Sequence, residues 1–542
     1  MARRGPGEEE GLGRERVLAR KGPGREGPFI CLSQKSSILL FYCGPVESRP
    51  SSPPERMLAM FSLSPHGRQP RRLGRSPGRW KKVTALSLAL LLAFGGGVAL
   101  EGALGLFSPF GAQGYRKLTA SYRALRDRWY FGGEVEDLSG RLTDQALAGM
   151  AQSELDSHTG YLPPALRTRS EKSLAGASVG IGVVYQQADG GFLVVQVVDG
   201  SPAAEAGILP GDLLVAVNGV PFSQLEDPAA EIAGEEGTAV RVTAARNGVE
   251  TEYALERRTV DNSASGRVVD GVGVLTIRSF TSTLGARTGE VLTQLQEAGC
   301  TELIIDLRGN GGGYVDAAVE VASYFLPEGA VVYKEENKAG KVREITADRE
   351  TERRSFGRIA VLVDGDTASA SEILTAALKE QLGATVVGTA TYGKGTVQST
   401  LLFGDGSGLK YTRYRWLTPG GGWVNGQGIA PDLEVSQPGA LETPAPQMAE
   451  GETTSPDQVG EAAGPVQTYL AFLGYPVARQ DGYYAPGSAA AVRAFRADAG
   501  LPEGEAIDRD LCRALTQAVT LKWYTQQSEL DVQLERAVEA MK

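Results

Sequence analysis

The stretch TELIIDLRG, residues 301–309, constrains the fold more than any other part of this chain. It is a nearly continuous apolar run, as expected of a parallel strand covered on both faces. The surrounding segments alternate in period. VGVLTIRSF reads as a strand, 286–298 as an amphipathic helix, and DAAVEVASYFL as a helix after the glycines at 311–313. A polar hairpin at 331–345, the strand RIAVLVDG, the helix SEILTAALKEQL and the strand ATVVGTA complete the series. Strand–helix alternation predicts an α/β core over 265–436, with its active site at the carboxyl ends of the strands.

Three segments carry reactive chemistry to those ends. The glycine run after the buried strand can aim backbone N–H groups at a developing oxyanion. Ser369 lies in a run of small residues at the start of SEILTAALKEQL, near the positive end of that helix, with the Ala370 amide next in sequence as a second donor. Lys394 lies between two glycines, and Gln398 follows four residues later. A serine needs a base, yet the chain has two histidines, His66 and His158, both far upstream. A desolvated lysine can lose its proton near neutral pH. The combination argues for a Ser-Lys hydrolase, with Gln398 orienting the amine. Each segment also has a plain reading. Thr367, Ser369 and Ser371 all compete as helix caps, and GKG fits an exposed turn. A phosphate loop is disfavoured, because no Lys-Ser/Thr follows DLRGNGGG.

Outside this core, 542 residues suggest three or four folding units. A net charge of −10 argues against nucleic acid as the main partner. Cys31, Cys43, Cys300 and Cys512 have no metal-binding spacing, and histidine is scarce, so neither metal nor cofactor is expected. Residues 83–104 are apolar for about the length of a bilayer and follow Arg71, Arg72, Arg75, Arg79, Lys81 and Lys82. This predicts one membrane helix with the chain beyond it exported; a cleaved signal peptide is the alternative. Residues 1–82 read as a cytoplasmic amino terminus, disordered in its Gly-, Pro- and Arg-rich part, with Met57 or Met60 as alternative starts. Residues 112–165 show helical spacing through Leu118, Tyr122, Leu125 and Trp129. His158, in the polar turn that ends this segment, reads as a surface or capping residue. Residues 437–463 read as a flexible acidic linker, 464–517 as three short helices, and 518–542 as a charged amphipathic helix.

Residues 170–257 resemble a PDZ domain of the bacterial protease type, through short alternating strands and SPAAEAGILPGD at 201–212. In that resemblance Gly180, Ile181 and Gly182 offer backbone N–H groups to a peptide's terminal carboxylate, glycine allowing close approach. An added peptide strand then pairs with the sheet edge.

DLRGNGGG, SASE (369–372), GKGTVQ (393–398), LTPGGGWVNGQGIAPD (417–432) and the preceding PDZ unit together resemble the carboxyl-terminal processing peptidases, from about residue 115 to 432. The resemblance implies a membrane-anchored, exported serine endopeptidase that recognises the carboxyl-terminal tails of protein or peptide substrates. Ser369 would be its nucleophile, Lys394 its base, Gln398 the orienting partner, and the Gly312 and Ala370 amides its oxyanion donors. The 25-residue step from Ser369 to Lys394 matches the family pattern, and that match selects Ser369 over Ser371. Thr367, Gly309 and Gly311 depart from the family pattern without touching a proposed catalytic atom. Residues 464–517 resemble a peptidoglycan-binding domain, although Arg496 stands where Gln is common, so the cell wall is an expected second partner. The family often assembles through its terminal helices, which points to a homo-oligomer. A non-catalytic envelope scaffold is the rival reading.

Overall fold

A computed structural model of the chain describes residues 111–152, 154–188, 190–246, 249–348 and 351–542. The expected cytoplasmic segment 1–82 and membrane span 83–104 lie outside the described residues. Among the described residues, no helix is long and apolar enough to cross a membrane.

The central sheet has six strands in the order Ala264–Val269, Val272–Ile277, Leu303–Asp306, Ile359–Val363, Thr385–Gly388 and Leu433–Glu434. The first pair is antiparallel and every later pair is parallel. Leu303–Asp306 is buried at every position, as its unbroken apolar run demands. Successive side chains point to opposite faces, and two separate cores result. Leu275, Ile277, Leu303, Ile305, Val361, Val363 and Val386 pack under the helices Leu284–Glu297, Val315–Ser323 and Ala370–Leu382. Val272, Val274, Ile304, Ala360, Leu362 and Val387 face the other way and meet Leu534, Ala537, Val538 and Met541. The last four belong to the helix Val532–Met541, so the carboxyl-terminal segment is the cover of the second sheet face.

A second, antiparallel sheet joins Gly160–Leu162, Gly408–Leu417, Val331–Asn337 and Val342–Thr346, with Thr396–Leu402 also paired to Gly408–Leu417. The segment 112–165 is helical over Gly111–Arg128 and Leu138–Ala151, but it ends in this strand, which the polar composition of 155–162 had concealed. Leu118, Leu125 and Trp129 remain exposed.

The PDZ unit is a sheet in the order Val183–Ala188, Gly191–Val197, Leu213–Val217, Ala239–Arg246 and Val249–Glu256. Ala177–Gly180 does not join it; that strand pairs with Arg258–Asp261 in a two-stranded ribbon leading into the core.

Residues 437–463, expected to be a flexible linker, are packed instead. Ala440 and Ala462 are buried in the carboxyl-terminal core, and Thr454 and Ile507 exchange both backbone hydrogen bonds. Acidic composition misleads here, because a few small apolar residues suffice to dock the segment. The expected break at 517/518 is also missing. One helix, Arg509–Thr525, runs across it.

Candidate active site

Ser369 caps the helix Ala370–Leu382 with φ 60° and ψ −111°. A side chain with Cβ rarely occupies this region, and a residue held there costs about 1–3 kcal/mol. Its neighbours over-determine the conformation. The Ser369 amide donates to Glu372 Oε2 at 2.7 Å, and its carbonyl accepts from Ile373 N at 2.8 Å. The structure separates the three competing hydroxyls. Thr367 Oγ1 donates to the Leu307 carbonyl at 2.9 Å, and Ser371 Oγ donates to the Asn310 carbonyl at 2.8 Å. Ser369 Oγ is buried, faced only by the Glu372 amide of its capping box and held by no well-formed hydrogen bond. Thr367 and Ser371 therefore clamp the loop after the buried strand to the helix start, while Ser369 presents an uncommitted hydroxyl.

Lys394 is 1% exposed. Its loop is tied to the serine helix by Glu372, the last residue of SASE, to which sequence reasoning assigned no role of its own. Glu372 Oε1 accepts from Thr391 Oγ1 at 2.6 Å and Gly393 N at 2.7 Å, and Oε2 accepts from Lys394 N at 2.9 Å. The amides of Ser369 and Lys394 thus meet on one carboxylate oxygen. The flanking glycines are needed for packing against 417–428. A Cβ on Gly393 would lie 2.7 Å from Gly428 N, and one on Gly395 would lie 2.6 Å from Trp423 Nε1. Trp416 Nε1 donates to the Lys394 carbonyl at 2.7 Å and fixes the turn from the other side.

Burial is the main force that lowers the Lys394 amine from its ordinary 10.5 to about 7, and the Lys410 charge adds to it. Asp156 and Glu372 oppose both. An amine near 7 is poised to exchange a proton at neutral pH. His158 also belongs to this environment, contrary to its reading as a surface residue. Burial first, then the Lys394 charge, lower it to about 4. Asp156 accepts from His158 N at 3.0 Å and Thr159 Oγ1 at 2.5 Å, and Thr412 N donates to Thr159 Oγ1 at 3.1 Å. The segment 156–159 is thereby stitched to the strand beside Gln398.

Gln398 is fully buried. Its Nε2 donates to Thr396 Oγ1 at 3.0 Å and Thr412 Oγ1 at 3.2 Å, while its Oε1 accepts nothing. The expected contact from Gln398 Oε1 to the lysine is therefore not formed in this structure. Gly312 packs against the serine turn, where a Cβ would stand 3.0 Å from Ala370 N and 3.2 Å from Ser369 Cβ. Its φ of 98° also requires glycine. The Gly312 amide donates to Asn310 Oδ1 at 2.8 Å, so it can serve an oxyanion only if that side chain releases it. Ala370 opens the helix, where backbone amides lack intrahelical acceptors.

Beside the PDZ unit, Gly180 ends the ribbon strand, and Ile181 and Gly182 lead from it into the edge strand Val183–Ala188. Close approach of a ligand is not what demands Gly182. Its φ is 81°, and a Cβ would meet Ser201 Cβ at 2.1 Å, at the start of the helix Pro202–Ala206. Ile181 is a core residue at 1% exposure, and its carbonyl accepts from Ala203 N. A Cβ on Gly180 would meet nothing within 4 Å.

Comparison with known proteins agrees with this architecture. Residues 271–435 match peptidase family S41, 193–246 a PDZ domain, and 460–506 a putative peptidoglycan binding domain. The carboxy-terminal processing protease CtpA of Bacillus subtilis is 30% identical over 433 residues, covering 79% of this chain and 90% of that one. The chain belongs to the carboxy-terminal processing proteases of family S41. A probable CtpA-like serine protease of Staphylococcus epidermidis is 29% identical, covering 75% of this chain and 82% of its own length. Among solved structures, a photosystem II D1 C-terminal processing protease is 25% identical over 59% of this chain and 92% of that chain, with a TM-score of 0.35. This chain is thus a serine protease of the C-terminal processing type that carries a PDZ domain.

Proposed function

We propose that this protease works through Ser369 as nucleophile and Lys394 as general base, with the unpartnered Oε1 of Gln398 accepting from the amine once the two side chains turn to each other. The observation that carries the assignment is the contrast among the hydroxyls: Thr367 and Ser371 are engaged in the fold, while Ser369 is strained, buried and held by no well-formed hydrogen bond beside a buried lysine. Neutral Lys394 Nζ takes the Ser369 Oγ proton as Oγ bonds to the scissile carbonyl carbon. The tetrahedral intermediate then breaks its C–N bond, and the lysine ammonium returns the proton to the leaving amine. Water attacks the acyl-enzyme by the same relay and restores both side chains. The Ala370 amide, joined by Gly312 once Asn310 lets go, faces the oxyanion.

The edge strand Val183–Ala188 and residues 180–182 take the carboxyl-terminal tail of the substrate, adding a strand to the PDZ sheet. The basic cluster at 71–82 and the apolar run 83–104 support a single membrane anchor with the protease on the extracytoplasmic side. Residues 464–517 support peptidoglycan as a second ligand there.

The test is cleavage of a peptide with a free or amidated carboxyl terminus by the full chain, beside Ser369→Ala and Lys394→Ala. Wild type should cut the free peptide in preference, and both variants should be inactive while still unfolding in a single cooperative transition. Cleavage by Ser369→Ala at the wild-type rate would remove the nucleophile assignment.

A further inference from the structure

Among the described side chains of the helix Gly111–Arg128, residues 113–128, none is buried. Helices draw most of their stability from packing an amphipathic face, so an uncovered one lacks its partner. Tyr115, Leu118, Tyr122 and Leu125 recur at helical spacing, and at about 100° per residue they form a stripe about 80° wide. Leu118 and Leu125 are exposed along it. The stripe runs into an aromatic tip just past the helix, Trp129, Tyr130 and Phe131, all exposed, Tyr130 by 87%. Phe131 lies edge-on to both of the others. Charge is distributed to match. Arg116, Arg123 and Arg126 lie on one side of the stripe, and Lys117 and Arg128 on the other. Five basic residues and one acid, Asp127, leave the helix at +4 in a chain whose net charge is −10. Acidic residues resume at Glu134, past the tip.

We propose that Gly111–Arg128 and the tip 129–131 form a docking surface for an anionic phospholipid bilayer. The helix lies in the headgroup layer, with stripe and tip towards the acyl chains and the basic side chains on lipid phosphates. An apolar stripe flanked by Lys and Arg and ended by aromatic residues has the composition of an interfacial helix. Its placement rests on the membrane-anchor reading of 83–104. Six residues separate Leu104 from Gly111, and that connection spans at most about 25 Å when extended. A second copy of the chain is disfavoured as the cover, because pairing would set two +4 helices against each other. An anionic surface complements this charge, and a zwitterionic one does not.

The test uses the full chain in vesicles of phosphatidylcholine, alone or with equal phosphatidylglycerol, whose brominated acyl chains quench nearby tryptophan. The Trp129 signal is the difference between wild type and Trp129→Phe. It should be quenched about twofold in the anionic vesicles and less in phosphatidylcholine, and the difference should vanish at about 0.5 M salt. Arg116→Gln, Lys117→Gln and Arg123→Gln combined should bring the anionic value down to that in phosphatidylcholine. Cleavage of a soluble peptide verifies that each variant is folded. Phe131→Trp is an independent probe, and its added signal should be quenched in the same way. A chain that floats with the vesicles while both signals stay unquenched would overturn the inference; a doubled mass in bilayer discs would then identify a second copy as the cover. Equal quenching in the two lipids, or in the triple variant, would also overturn it. Loss of flotation from phosphatidylcholine at high salt would instead bring down the anchor reading, and the Trp129 signal in anionic vesicles decides the surface in either case.

Discussion

Lys394→Met should abolish cleavage and yet make the protein more stable, by an amount that depends on pH. The ordinary amine near 10.5 falls to about 7 in the folded chain, chiefly through burial. Between those values the unfolded chain binds a proton that the folded chain does not, so wild-type stability rises with pH across the window. Below about pH 7 both states are protonated, and the folded state carries the full penalty of a buried ammonium. At about 1.4 kcal/mol per unit that penalty is ~5 kcal/mol, and relaxation and water penetration reduce it to roughly 2–4 kcal/mol. Methionine fills similar space without charge. The variant should therefore gain that amount over wild type at pH 6, and the gain should shrink towards a constant offset by pH 10.5. Urea unfolding of both proteins from pH 6 to 10.5 measures it. The offset reflects packing; the slope reflects the proton. A stability difference that is flat with pH would refute a depressed lysine and, with it, a neutral amine as the base.

Glu372→Gln should cost about 2–3 kcal/mol of stability and lower kcat more than KM. Its four donors, Ser369 N, Thr391 Oγ1, Gly393 N and Lys394 N, cannot all be accepted by one amide oxygen; thermal unfolding and steady-state kinetics would check this. Gly395→Ala should lower kcat by about 100-fold, because its Cβ would stand 2.6 Å from Trp423 Nε1 and displace the lysine turn. Arg308→Met should destabilise the protein by about 3–5 kcal/mol in urea unfolding, since Arg308 Nη2 donates to Asp306 and Nη1 donates to Asp531, with all three nearly buried. It should lower kcat as well, because that bridge holds the segment leading into Gly312.

The local signals that repeat along the chain were legible without coordinates. Alternating periods identified the α/β core, and the unbroken run at 303–306 became a fully buried strand. Ser369, Lys394 and Gln398 were singled out by the scarcity of histidine and by the resemblance of SASE and GKGTVQ to the family pattern. Partnership was not legible. Thr367, Ser369 and Ser371 are equivalent as local caps, and they differ only because Leu307 and Asn310, about 60 residues away, take two of the three hydroxyls. Glu372 looked like an ordinary helix residue until the lysine turn folded onto it. His158 and Lys410 acquired their setting through a strand pairing that spans some 250 residues. The cover of the second sheet face comes from Val532–Met541, which sequence alone marks only as amphipathic. Hydrogen bonding and burial belong to pairs of residues brought together by the fold, whereas periodicity and residue chemistry belong to the chain itself. That is why the sequence determined the kind of core and the cast of reactive side chains, and only the tertiary structure decided which hydroxyl is uncommitted and which charges surround the lysine.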